Sequence, residues 1–155
     1  MRITNPTLLL AAAAALLLAG CENRARAAAR QLARQNSCIA AELALDAKER
    51  LASLDTALVT SEGTPMEQVT RAGHTFAAAY RQWADAMSRT ADYADSAAHA
   101  RSPADSVRFA RQSEQARPRS VPPGTVEGNA VASYNQDVTR ALANPDHPCN
   151  KPDND

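Results

Sequence analysis

The sequence predicts an all-α chain: a long antiparallel helical hairpin with two shorter helices, together a partial four-helix bundle. Three observations predict it. Apolar residues recur at alternating three- and four-residue steps through the middle of the chain, which is the seam of a left-handed helical pair. Thr64-Pro65 and Ser102-Pro103, each followed by an acid, punctuate the chain as helix-start signals. Alanine is abundant, aromatics are only 4%, and no strand-like alternation is long enough to compete. Alanine lets helices approach closely but buries little area, so the expected core is thin.

Residues 1–20 read as an export signal. Arg2 supplies a basic start, and residues 8–19 form an unbroken apolar run that ends in small residues. Leu18-Ala19-Gly20-Cys21 then places a cysteine directly after the small pair. This stretch resembles the lipobox of bacterial lipoproteins, and the resemblance covers residues 1–21. It implies diacylglyceryl transfer to the Cys21 sulfur, cleavage between Gly20 and Cys21, and acylation of the new amino terminus. A single myristoyl-sized chain binds membranes marginally, at about 0.8 kcal/mol per buried methylene, whereas two or three chains anchor stably. The implied address is the bacterial cell envelope, with the membrane as partner through lipidated Cys21. Glu22, where an Asp would signal inner-membrane retention, points by the same analogy to the periplasmic face of the outer membrane. Two alternatives stand beside this reading: a cleaved secretory peptide with Cys21 an ordinary residue, or an uncleaved span. A span takes roughly 20 apolar residues, and the run here has twelve.

Residues 21–143 form the expected helical domain, and about 135 residues after cleavage suffice for one core. The first helix is predicted over about 23–60, with Leu32, Ile39, Leu43, Ala47, Leu51, Leu54 and Leu58 on one face. Ser61-Glu62-Gly63 breaks it. The second opens with Thr64 as N-cap, Pro65 at the first helical position and Glu67 at the capping-box position. Its seam is Met66, Val69, Gly73, Phe76, Tyr80, Trp83, Met87, Thr90, Ala94 and Ala97. A third, short helix is predicted over about 103–116, with Val107 and Ala110 on its weak stripe and Phe109 off it. Pro118, Pro122, Pro123 and Gly124 make a connector that cannot be helical. The fourth spans about 125–143 with Val131, Tyr134, Val138, Ala141 and Leu142 on one side, and Asn144-Pro145 stops it. Residues 144–155 are a polar tail, disordered unless Cys149 ties it down.

An exported protein meets an oxidising compartment, so Cys38 and Cys149 are expected to pair. Two free thiols or an intermolecular pair are the alternatives. Neither cysteine lies in a C-x-x-C or haem-attachment pattern.

Other candidate residues carry bland readings beside sharp ones. Arg26, Arg30 and Arg34 stand four apart on one helical face, with Arg24 nearby. Just past the anchor they could meet anionic head groups or another polyanion at about 1 kcal/mol per charge; a solvated face is the alternative. Phe76, Tyr80 and Trp83 are the one aromatic concentration, a candidate ligand pocket or plain core packing. Asp92, Asp95 and His99 share a face, but an ordinary Asp95–His99 surface pair explains them better than a metal site. His74 reads as a hydrogen-bonded or exposed histidine, and His147 as a solvated tail residue.

Charge is balanced, 17 basic against 17 acidic residues, so no global field invites nucleic acid. No nucleophile elbow, zinc-protease pair, phosphate loop or dinucleotide motif is present, and none implies a cofactor. The expected function is therefore non-catalytic: an interaction or structural module of the envelope, with an envelope protein or a second copy as partner. The alternative is a ligand-binding or sensory bundle around Phe76, Tyr80 and Trp83.

Overall fold

The computed structural model describes residues 6–151, with side chains from Asn23 onward. Its elements are α1 (Pro6–Ser61), α2 (Glu67–His99), α3 (Pro103–Ala116), α4 (Val126–Ala143) and a one-turn 3-10 helix, Pro148–Asn150. There is no strand among the described residues, and none of their helices is long and apolar enough to cross a membrane. Gly20 and Cys21, the proposed cleavage and lipidation residues, lie outside the residues whose side chains are described. The first helix begins at Pro6 rather than near residue 23, because the alanines and leucines of residues 8–19 are themselves strong helix formers.

α1 and α2 form the antiparallel hairpin. Gly63 closes α1 with φ 72°, a left-handed conformation that costs a glycine nothing. Thr64 is not the N-cap of α2: its hydroxyl donates to the Ser61 carbonyl at 2.6 Å, and α2 starts after Met66 with no side-chain cap. Glu67 keeps half of its expected role. Its carboxylate accepts the Gly63 amide at 2.9 Å and Arg71 at 2.7 Å, which together, guanidinium first, hold its pKa below the usual carboxylate value.

Half of the buried apolar residues are alanine: Ala40, Ala47, Ala84 and Ala130 beside Ile39, Tyr80, Tyr134 and Cys149. The thin core is the place where α4 lies across the hairpin. Tyr80 and Tyr134 supply its bulk, Ala84 and Ala130 its close approach, and Leu43, Phe76, Trp83, Met87 and Val138 pack round it.

Four predicted core positions face water instead: Leu32 at 52% exposure, Met66 at 58%, Val69 at 63% and Val107 at 51%. Leu142 and Ala94 are exposed as well. Periodicity places a residue on a face; it does not say whether another helix reaches far enough to cover it. α3 lies against α2 through hydroxyls rather than through Val107 and Ala110. Ser106 donates to the Ala97 carbonyl at 3.1 Å and Ser113 to that of Thr90 at 2.9 Å. Phe109, off the predicted stripe, is half-buried, whereas Val107 and Ala110 are exposed.

The Ser102 start signal acts as expected, and Thr125, which no start signal marked, caps α4. Ser102 accepts the Asp105 amide at 3.1 Å and donates back to its carboxylate at 2.8 Å, and Thr125 accepts the Gly128 amide at 3.0 Å. The connector folds so tightly onto the start of α4 that a Cβ at Gly128 would collide with the Pro122 carbonyl.

Candidate functional site

The tail is the most closely built part of the surface. Cys38 and Cys149 form a disulfide with a Cα separation of 5.6 Å, spanning 111 positions of sequence. The turn that carries Cys149 has its own fastening. The Asn150 amide donates to the carbonyls of Ala141 at 2.8 Å and Asn144 at 2.7 Å, which satisfies the free end of α4. The His147 amide donates to the Asn144 carbonyl at 3.1 Å. His147 is not solvated, as expected of a tail residue: its side chain is 15% exposed and its Nε2 lies 3.6 Å from Glu42 Oε2 on α1. Glu42 Oε2 is in turn 3.7 Å from Cys149 Sγ, a contact without a proton while the sulfur is bonded to its partner. Sequence reasoning found both cysteines and missed Glu42, whose spacing of four from Cys38 was the available signal.

The aromatic residues separate. Phe76 and Tyr80 sit 6.5 Å apart, and Tyr80 meets Tyr134 edge-on at 5.9 Å. Tyr80 donates to Asp137 at 2.8 Å. Burial, then that bond, pushes its pKa well above the ordinary phenol value, and burial alone pushes Tyr134 up to about 12. Phe76 and Tyr80 line a groove of about 350 Å³ with Leu54, Gly73 and Arg50. Trp83 does not share it. It lines a second groove of about 410 Å³ with Pro118, Arg119 and Val121, and its buried indole N–H has no hydrogen-bond partner among the described residues. The single pocket expected from these three residues is thus two, and Tyr134 takes the place of Trp83 in the cluster.

The arginine face is partly engaged within the chain. Arg30 Nε donates to the Ala98 carbonyl at 3.0 Å, and Arg34 reaches His99 Nε2 at 3.4 Å. Both lie against the C-terminal end of α2, where a cation is favoured by the helix dipole. Arg24 and Arg26 lie further toward the N-terminus on exposed helix. Asp92 accepts the Ser37 hydroxyl at 2.6 Å. His99 Nδ1 is 3.0 Å from the Asp95 carbonyl and 3.1 Å from its carboxylate; only the carbonyl has hydrogen-bond geometry, so the carboxylate contact is electrostatic. These residues tie helices together. His74 does likewise, 2.8 Å from Asp55 across the hairpin.

Fold and site define the class: a small all-α protein, a helical hairpin clamped at one level by a crossing helix and a disulfide-tied tail. No family model matches the chain, and neither do any curated protein or solved structure.

Proposed function

We propose that the chain is a non-catalytic lipoprotein of the bacterial envelope, held by Cys21 and presenting the far end of its hairpin to a protein partner. The lopsided coverage of that hairpin carries the reading. α4, the tail and the disulfide pack on the middle of α1, around Cys38 to Ala47. Past Leu54, among the described residues, the side-chain hydrogen bonds and ion pairs of the hairpin join α1 and α2 only to each other or to the turn between them. That arm keeps Val59 at 76% exposure, with Met66 and Val69 also in water. Isolated exposed apolar residues are ordinary, but a group of them at one tip suits contact. From residue 22 to Ser61 the helix rises about 60 Å, so an anchor at Cys21 would set the tip well away from the lipid.

Photo-crosslinkers placed in cells at Val59, Met66 and Val69, with Val107 on α3 as the control, test the reading. A discrete adduct from the tip positions and none from Val107 is expected. Equal labelling at both sites would refute the arm as the contact surface. Unchanged fatty-acid labelling of Cys21→Ser would refute the anchor. A second reading rests on the groove beside Phe76 and Tyr80, whose apolar lining suits a small ligand. Trp83 stands in the other groove, so shifts in Phe76 and Tyr80 ring resonances, rather than indole fluorescence, are the measurement for it.

A further inference from the structure

The tail clamp brings together more than two sulfurs. Cys38 and Glu42 are one turn apart on α1, and His147, the N-cap of the 3-10 turn, is two residues before Cys149 within it. Donor atoms of Glu42, His147 and Cys149 all lie within 4.8 Å of one another. The two distances from Glu42 fall in the range of a coordination shell. A tetrahedral zinc with bonds of about 2.0–2.3 Å holds its donors about 3.3–3.8 Å apart. Glu42 Oε2 lies 3.6 Å from His147 Nε2 and 3.7 Å from Cys149 Sγ. Two sulfurs, one imidazole and one carboxylate are a ligand set that zinc-class divalent cations favour over magnesium or calcium.

We propose that Cys38, Cys149, Glu42 and His147 form a redox-gated site for a zinc-class divalent cation. In the oxidised chain the two sulfurs bond to each other and the site is closed. A dithiol reductant opens it: the Cys38–Cys149 bond breaks, the reductant becomes its own disulfide, and its two protons pass to the protein thiols. Binding the cation then forms two metal–sulfur bonds and releases those two protons. The Glu42 carboxylate and the neutral His147 ring add as donors with no further proton loss. Coordination through Nε2 puts the ring proton on Nδ1, which gives up the long 3.3 Å contact from the Cys149 amide.

The structure favours this for two reasons beyond distance. The turn has fastenings besides the disulfide, the Asn150 bonds to the end of α4 and the His147–Asn144 bond. Cys38 is exposed, so a reductant can reach the bond, and it lies one helical turn from Glu42 on α1. The metal would therefore replace the disulfide as the fastening of the tail when the disulfide is reduced.

The test uses the full chain in detergent, reduced with dithiothreitol, freed of reductant without oxygen, and titrated with Co2+ and then Zn2+. Reduced protein should bind about one equivalent of Co2+, with thiolate charge-transfer and tetrahedral ligand-field bands that Zn2+ abolishes; oxidised protein should show neither. Even outer-shell partners of a metal are worth about 10–100-fold in affinity. Glu42→Gln and His147→Ala should therefore weaken binding at least about tenfold while leaving the oxidised fold unchanged by circular dichroism. The proposal is overturned if the reduced chain gives no tetrahedral cobalt spectrum, or if both variants bind as tightly as the parent. Should reduction unfold the chain, helicity that an equivalent of Zn2+ fails to restore counts against it equally.

Discussion

Replacing both Cys38 and Cys149 by Ser removes the one covalent link between the tail and α1. In the chain-entropy model, a bridge spanning 111 positions constrains the unfolded state by about 4.8 kcal/mol at room temperature. Domains of this size are stable by about 5–15 kcal/mol in total, and the core here is half alanine. The double variant should therefore lose a third or more of its stability while keeping its helices at rest, because Asn150 still caps α4. The assay is guanidinium unfolding of the chain from residue 22 onward, followed by far-ultraviolet circular dichroism in metal-free buffer. The midpoint should fall, and the slope should rise slightly as the unfolded chain expands. A loss below about 1 kcal/mol would refute the loop-entropy reasoning, since the ends would then be kept together in the unfolded chain by something else.

Three further outcomes follow from the packing. Ile39→Ala empties the one large fully buried side chain among the described residues and should cost about 2–5 kcal/mol, whereas Val69→Ala at the exposed tip should stay within about 0.5 kcal/mol; thermal melts separate them. Folding raises the phenol pKa of Tyr134 to about 12 and that of Tyr80 further, above the value of about 10 in an unfolded chain. Their contribution is complete below pH of about 10 and declines as the pH rises through about 12, so Tyr134→Phe should flatten the alkaline loss of stability in a pH series of denaturant melts. Gly128→Ala drives a Cβ into the Pro122 carbonyl and should displace the connector, seen as faster amide exchange over residues 118–125 and a loss of about 1–3 kcal/mol.

Local signals were legible in the sequence to the residue. Ser102-Pro103 started α3 where the structure starts it, and Asn144, the expected stop, follows the last residue of α4. Thr64 misled because its hydroxyl had a nearer acceptor in the Ser61 carbonyl, which a one-dimensional cap pattern does not contain. The apolar stripes gave the correct faces of α1 and α2, yet coverage depended on where α4 crosses. Ile39 and Tyr80 are buried, while Leu32 and Val69, on the same stripes, are not. The pairing of Cys38 with Cys149 followed from compartment and count. Glu42 and His147 did not, because their meeting depends on the path of the tail after α4.

α3 has no buried residue and adheres to its neighbour by serine hydroxyls on main-chain carbonyls. Water competes with such bonds on nearly equal terms. This segment is therefore where unravelling begins as the molecule warms. A protease would nick it there first, releasing no part of the arm and cutting neither cysteine free. Loss of integrity in this protein is thus staged, with an expendable outer layer shed before the fastened centre gives way.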